Sequence, residues 1–261
     1  MMSTQVVTSR VSHRVRGRIV QLGTIAAAVG AWLWAQGPGD VSSIILPRLN
    51  EVITEFIRFL GSSEVYRAIA VTMSEILVAL AISAVLGFGV AFWAARTDFR
   101  SNVVERLLVW GYLVPHILFY PLIILWFGIG SPSKVAYAAS AAVFPIAFNC
   151  LRAFRGVDPK FLNVGRAYGA SARQMDWQIK LRGSIPLAAA GIRIGAALSM
   201  VTVIVAEMLS AIKGLGYLLK YYAQSFNTAR SFAIIAIILI VVAIFQFGVT
   251  KLLPNEAKDI R

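Results

Sequence analysis

The chain has 261 residues, 58% of them hydrophobic and only 14% charged, and its mean hydropathy is +0.74. A soluble globular chain carries roughly 25% charged residues, so this composition excludes one and describes a polytopic membrane protein. The formal charge of +13 raises nucleic acid as a partner, a reading that the placement of the basic residues removes below.

Residues 1–18 form a basic tail with Arg10, Arg14, Arg16 and Arg18. The first apolar run, 19–36, follows directly. A basic stretch before an apolar run also suits a cleavable signal peptide. This run is long for that purpose, and Leu33 fits badly at the small-residue position two before Ala35. It is read as an uncleaved first span, with Trp32 and Trp34 in the aromatic belt near its end. A polar stretch over 37–66 comes next. Within it Val52, Ile53, Phe56, Ile57 and Leu60 fall on one helix face, with Glu51, Glu55 and Arg58 elsewhere on the circumference. That pattern describes an amphipathic helix lying along the membrane surface, with Pro47 near its start.

Five further apolar runs follow at 67–95, 106–129, 134–153, 187–209 and 231–253. Each is about the 20 residues that a hydrocarbon core about 30 Å thick requires. Six spans leave only short loops, a polar connection over 154–186 and a tail over 254–261. Counting Lys and Arg gives 17 on the side holding both tails and the loops 96–106 and 152–186, against 7 on the other side. The positive-inside rule then places both termini in the cytoplasm. Membrane topology therefore accounts for most of the charge, and no nucleic-acid partner is expected.

Chemistry inside the chain is sparse. Cys150 is the only cysteine and sits in an apolar run, His13 and His116 are far apart, and no lysine precedes Ser or Thr. No disulfide, metal site, catalytic pair or nucleotide-binding P-loop is expected. Two constellations stand out. In the connection 154–186, Pro159 suits a first helical turn, Gly169 a helix end and Ser171 the cap of a second helix extending to about Leu181. Two short helices meeting at a bend make a compact projection, or else a plain solvated connector. Among intramembrane charges, Arg193 near the middle of the fifth span costs about 2.5–3.5 kcal/mol on insertion scales and should face a pathway or a partner. Glu207, 14 residues later, shares its helix face, and Glu75 lies in the outer part of span two beside Thr72 and Ser74. The three are candidate pathway-lining residues, or structural anchors. Gly191 and Gly195 have the spacing of a close helix contact.

The stretch around Gly169-Ala170-Ser171 resembles the cytoplasmic loop of ABC importer permeases. Ile179, Leu181 and Pro186 follow in register, and Asn163-Val164-Gly165 stands at that motif's Glu-Ala-Ala. Gly191-Ile192-Arg193, Ala206-Glu207-Met208 and Gly214-Leu215-Gly216-Tyr217 resemble the nitrate/sulfonate/taurine branch of that family. Pro115, Pro121, Phe127-Gly128, Pro145 and Val157-Asp158-Pro159 also align, so the resemblance spans roughly 45–253. Arg182 replaces a motif proline, and Glu75 stands where relatives often carry Arg. The resemblance implies an all-α permease fold of type I with six transmembrane helices and a cytoplasmic coupling helix, in a bacterial inner membrane. It implies coupling to an ATPase through Asn163, Gly165, Gly169, Ala170, Ser171, Gln174, Ile179 and Leu181. Its partners would be two copies of a cytoplasmic ABC ATPase binding ATP and Mg, a second permease copy, membrane lipid and an extracytoplasmic solute-binding protein. The chain itself would hold no cofactor and catalyse nothing. Its solute would be small and anionic. The rival is an ion-coupled secondary transporter acting alone, against which stand the lack of an inverted repeat and the few ionisable residues.

The topology has a direct check. Single cysteines at Ser12, Ser62 and Ser171, in a chain lacking Cys150, should react with an impermeant thiol reagent from the inside, outside and inside respectively. Labelling of position 62 from the cytoplasm alone would invert the assignment.

Overall fold

A computed structural model describes residues 20, 23–24, 26–27, 29–37 and 41–253 of the chain. Both tails and part of the first expected span therefore lie outside the described residues. Within them the chain is all helical, without a strand. Every described residue from 20 to 36 is helical (α1). There follow α2 (Leu49–Leu60), α3 (Ser63–Ala94), α4 (Asp98–Leu113), a 3₁₀ turn (His116–Phe119), α5 (Tyr120–Phe127) and α6 (Ser131–Arg155). Then come α7 (Pro159–Ala167), α8 (Ala172–Gln174) with a π-helical stretch (Met175–Lys180), α9 (Leu181–Ser210), α10 (Leu215–Gln224) and α11 (Thr228–Leu252).

By length and composition four helices are fit to cross a bilayer: α3, α6, the continuous run Ala172–Ser210 and α11. The expected straight span over 106–129 is instead a bent pair, Asp98–Leu113 and His116–Phe127, meeting at 78°. Proline is the cause. Pro115 has no N–H to continue the helix, and it forces Val114 into an extended conformation at ψ 129°. A second difference lies downstream. The short helix expected from Ala172 to Leu181 runs through the π-helical stretch into α9 as one 39-residue rod. Pro186 lies inside it without ending it, as membrane helices allow where neighbours take up the freed backbone groups. The amphipathic helix is found at the expected place, with Val52 and Phe59 buried against α10 and α11.

The helix α6 is the axis of the bundle, packed on α3 to one side and α9 to the other. The contact depends on small residues, because lipid solvates apolar side chains as well as protein does and close approach must supply the attraction. Ile146 of α6 is fully buried. It fills the gap left by Gly87 on α3, where a Cβ would stand 2.8 Å from Ile146 Cγ2, and the gap left by Gly195 on α9. Asn149 packs against Gly191 in the same way, so the expected small-residue pair is a helix contact.

Gly195→Leu should therefore force α9 off α6, costing about 1–3 kcal/mol as overpacked cores do. Gly89→Leu, whose Cβ meets nothing within 4 Å, is the control. Thermal unfolding in detergent should be lowered by the first change alone.

Candidate functional site

Two places in the molecule concentrate built geometry. The first is the polar connection over 154–186. Asp158 starts α7 by accepting a hydrogen bond from the Lys160 amide at 2.8 Å, and Pro159 occupies the first helical position. At the other end Gly169 adopts a left-handed φ of 73°. This lets the Ala170 amide reach the Gly165 carbonyl and the Gly169 amide the Arg166 carbonyl, both at 3.0 Å. The pair is a Schellman closure, and glycine takes that φ without steric cost. Two residues later Ser171 and Gln174 form a reciprocal capping box: the Ser171 amide donates to Gln174 Oε1 at 2.8 Å, and the Gln174 amide donates to Ser171 Oγ. The bend is thus closed by hydrogen bonds on both sides. Gly165 seals its inside, because a Cβ there would collide with Ile179 and Met175.

Of the residues expected to serve coupling, Gly165, Gly169, Ala170, Ser171, Gln174 and Ile179 come together in this bend, while Asn163 is exposed on α7 and Leu181 begins α9. A feature that the sequence reading passed over is the outer face of α7. Phe161, Val164 and Tyr168 are all exposed, Tyr168 at 88%. Their spacing of three and four puts them in one stripe. Apolar residues at helical spacing in a polar loop were the available signal.

The second place is a polar cluster at the opposite end of the bundle. Lys134 on α6 is 3% exposed, Glu75 on α3 2% and Glu207 on α9 0%. The Lys134 ammonium meets Glu75 Oε1 at 2.5 Å and Glu207 Oε1 at 3.9 Å. Ser131 donates to Glu75 Oε1 at 2.6 Å. Glu207 accepts further bonds from the Thr72 hydroxyl at 2.8 Å and from the Gly216 amide at 2.8 Å, and the Leu215 amide donates to Thr72 Oγ1 at 2.9 Å. Glu207 therefore caps the first turn of α10, where free amides and the helix dipole favour a negative charge. Gly214, at φ 110°, is required twice: for that backbone angle, and because a Cβ would strike the Glu207 carboxylate. Next to the cluster, the Tyr120 hydroxyl contacts Ser210 Oγ at 2.5 Å and donates to the Ala206 carbonyl at 3.2 Å, seating α5 on α9.

Glu75 and Glu207, candidates for a pathway wall, thus lie between helices with protein partners. Of the four oxygens of this carboxylate pair, Glu75 Oε2 has no hydrogen-bond partner among the described residues. Arg193 is not brought to them. It is half-buried on α9, and its carbonyl accepts from Gln246 of α11 at 3.4 Å. Lys134, counted from sequence among the outer loop charges, is the residue missed. Its signal was a lysine opening an apolar helix just after Ser131 and Ser133.

Comparison with known proteins agrees with this architecture. The family described as the binding-protein-dependent transport system inner membrane component matches residues 83–256. The chain is 30% identical over 211 residues to an aliphatic sulfonates transport permease protein, SsuC, of Escherichia coli, covering 81% of this chain and 80% of that protein. It is 24% identical over 238 residues to the taurine transport system permease protein TauC of the same organism, covering 89% and 86%. A chain of the MetNI methionine ABC transporter, solved in inward-facing conformations, superposes with a TM-score of 0.63 at 18% identity over 72% of this chain and 93% of that one, a likeness of fold. The chain belongs to the family of inner-membrane components of binding-protein-dependent transport systems, as a multi-pass permease subunit of an ABC importer. That membership decides against an ion-coupled carrier acting alone.

The cluster makes a stability prediction. Lys134→Met leaves two buried carboxylates without their cation, a change that costs about 3–5 kcal/mol when one partner of a buried pair is removed. Unfolding in detergent should occur at clearly lower temperature than for the parent. Adding Glu75→Gln should recover part of the loss, since one uncompensated charge goes with it.

Proposed function

Because the chain belongs to this family, we propose that two copies of it form one solute pathway, each with six crossings, both termini in the cytoplasm and one ATPase docked on its bend over 154–186. ATP and Mg bind the ATPases and hydrolysis occurs there; this chain carries the motion. The solute is a small organic sulfonate, an alkanesulfonate anion or the zwitterion taurine, delivered by an extracytoplasmic binding protein. The names of the relatives support this solute class, and SsuC and TauC each align with four fifths or more of the chain.

The observation that carries the docking assignment is the exposed stripe of Phe161, Val164 and Tyr168 on a helix whose C-terminal end is closed by the Gly169 bend. Exposed aromatic and aliphatic residues on a cytoplasmic projection suit burial in a protein groove. The bend gives the contact a fixed angle, and its second arm is continuous with α9. Closure of the ATPases would move α7 and α9 together and switch the pathway between inward- and outward-facing states.

Gly169→Val tests this reading. A β-branched residue at φ 73° costs on the order of 1–2 kcal/mol locally, which should distort the bend while the spans still insert. Membrane abundance should match the parent, whereas ATPase co-purification or solute uptake in proteoliposomes should fall. The detergent-purified chain alone should hydrolyse no ATP. Uptake and co-purification both at parental level would reduce residues 158–181 to a passive connector.

A further inference from the structure

Among the described residues, the break between α4 and the 3₁₀ turn is the one place where an apolar span is bent, at the extended residue Val114. Its last carbonyls and following amides have no intrahelical partners. Leu113, Val114, Pro115, Ile117 and Leu118 around it are all exposed in the single chain. Lipid cannot cover open backbone: irregular segments at membrane depth occur only inside protein or along a water-filled cavity. This face of the bundle is therefore unlike α11, which from Phe232 to Phe245 carries only apolar residues.

A cavity of about 330 Å³ opens beside the break, between Tyr112 and His116 of the bent pair, Tyr137 of α6, and Leu198, Val201 and Thr202 of α9. Its polar lining is of one kind. The hydroxyls of Tyr112 and Tyr137 have no hydrogen-bond partner among the described residues, so each is free to donate. The Thr202 hydroxyl is already committed to the Leu198 carbonyl. Apart from His116, no residue of the lining is ionisable near neutrality, and none is acidic. The rest of the wall, with Ile117, Leu198 and Val201, is aliphatic.

We propose that this cavity is a transient solute subsite on the pathway wall, for a small organic anion with a hydrocarbon end. Tyr112 and Tyr137 donate to the oxyanion, and Ile117, Leu198 and Val201 receive the carbon chain. Neutral donors suit a site that an anion must leave again, since a fixed buried cation would hold it. The aliphatic wall favours an alkanesulfonate over a fully hydrated inorganic anion such as nitrate, which gains nothing from apolar contact. The site deepens the proposed function and rests on its reading of the solute class.

The test uses the assembled transporter with its ATPase, in vesicles, with Cys150→Ala to remove the native thiol. Val201→Cys and Leu239→Cys create thiols at positions of nearly equal exposure in the single chain, 60% and 63%, one in the cavity and one on α11. The reagent is 2-sulfonatoethyl methanethiosulfonate, an impermeant anion that reacts with thiols in water. Position 201 should react at least tenfold faster than position 239. Hexanesulfonate should slow that reaction and equimolar nitrate should not. Tyr112→Phe should raise the hexanesulfonate concentration giving half protection by about fivefold, as loss of a hydrogen bond to a charged group does. Equal rates at 201 and 239 would overturn the cavity as pathway wall, and equal protection by nitrate would overturn the ligand class. Uptake of hexanesulfonate and taurine with the binding protein is measured separately. Uptake with an unreactive 201 overturns the subsite alone, whereas a reactive, hexanesulfonate-protected 201 without uptake of either solute supports the subsite and overturns the delivered-solute reading.

Discussion

An ammonium group buried between two carboxylates is the constraint from which its end of the bundle follows. Lys134, Glu75 and Glu207 come from three different helices, and each is too costly to bury alone. One ammonium does not balance two carboxylates. The remainder is met by dipoles: the Thr72 and Ser131 hydroxyls and the Gly216 amide at the start of α10. Satisfying Glu207 thereby fixes where α10 begins, and that in turn imposes glycine at 214, where the chain must turn at positive φ directly over the carboxylate. The seating of Tyr120 on the same turn of α9 ties the bent segment to this end as well.

The end that carries the bend is built on a different principle. Among the described residues no buried ion lies in the bend; it is closed by the Gly169 backbone bonds, the Ser171–Gln174 capping box and Gly165 against Met175 and Ile179. The two ends share one rod. From Ala172 to Ser210 the helix has no gap, so about 1.5 Å per residue connects the Ser171 cap to the Glu207 carboxylate over roughly 50 Å. A rod of that kind conveys tilt with little loss, and its joints are identifiable: the π-helical stretch Met175–Lys180 and Pro186. Both lie between the bend and the Gly191 and Gly195 contacts with α6.

What the sequence made legible was local. The bend at Gly169 to Gln174 was readable because every group that closes it lies within a few residues and each residue type has a steric or hydrogen-bonding reason to be there. The amphipathic helix over 49–60 was readable from one period. The break in the third span was not, although Pro115 is plain to see, because apolarity is uniform across it and hydropathy does not register a change of direction. The second arm of the bend was read as ending near Leu181 because polarity changes there, whereas the helix itself carries on into the membrane. The polar cluster was illegible for a further reason. Thr72 and Glu207 are 135 residues apart, and no local pattern connects them. Lys134 opens the run 134–153 and counts with that side's charges because a basic residue at a span's edge is ordinarily an interfacial anchor.

The cluster also answers a question that the apolar packing leaves open. Helices lined with Ala, Gly and Ile, surrounded by lipid that competes for the same contacts, have little to choose between one register and another displaced by a turn. Ile146 fixes how closely α3, α6 and α9 approach, through Gly87 and Gly195, but small residues recur along all three helices. Hydrogen bonds do not tolerate such a slip. A displacement of α9 by one turn, about 5.4 Å, would take Glu207 from Thr72, Gly216 and Lys134 together and leave charges bare in a low dielectric. Replacing the cluster by apolar residues of similar size would often be neutral or stabilising, so its contribution is better understood as selection among arrangements than as net adhesion. The polar end decides which packing the apolar core adopts, and the apolar core then holds that packing tightly.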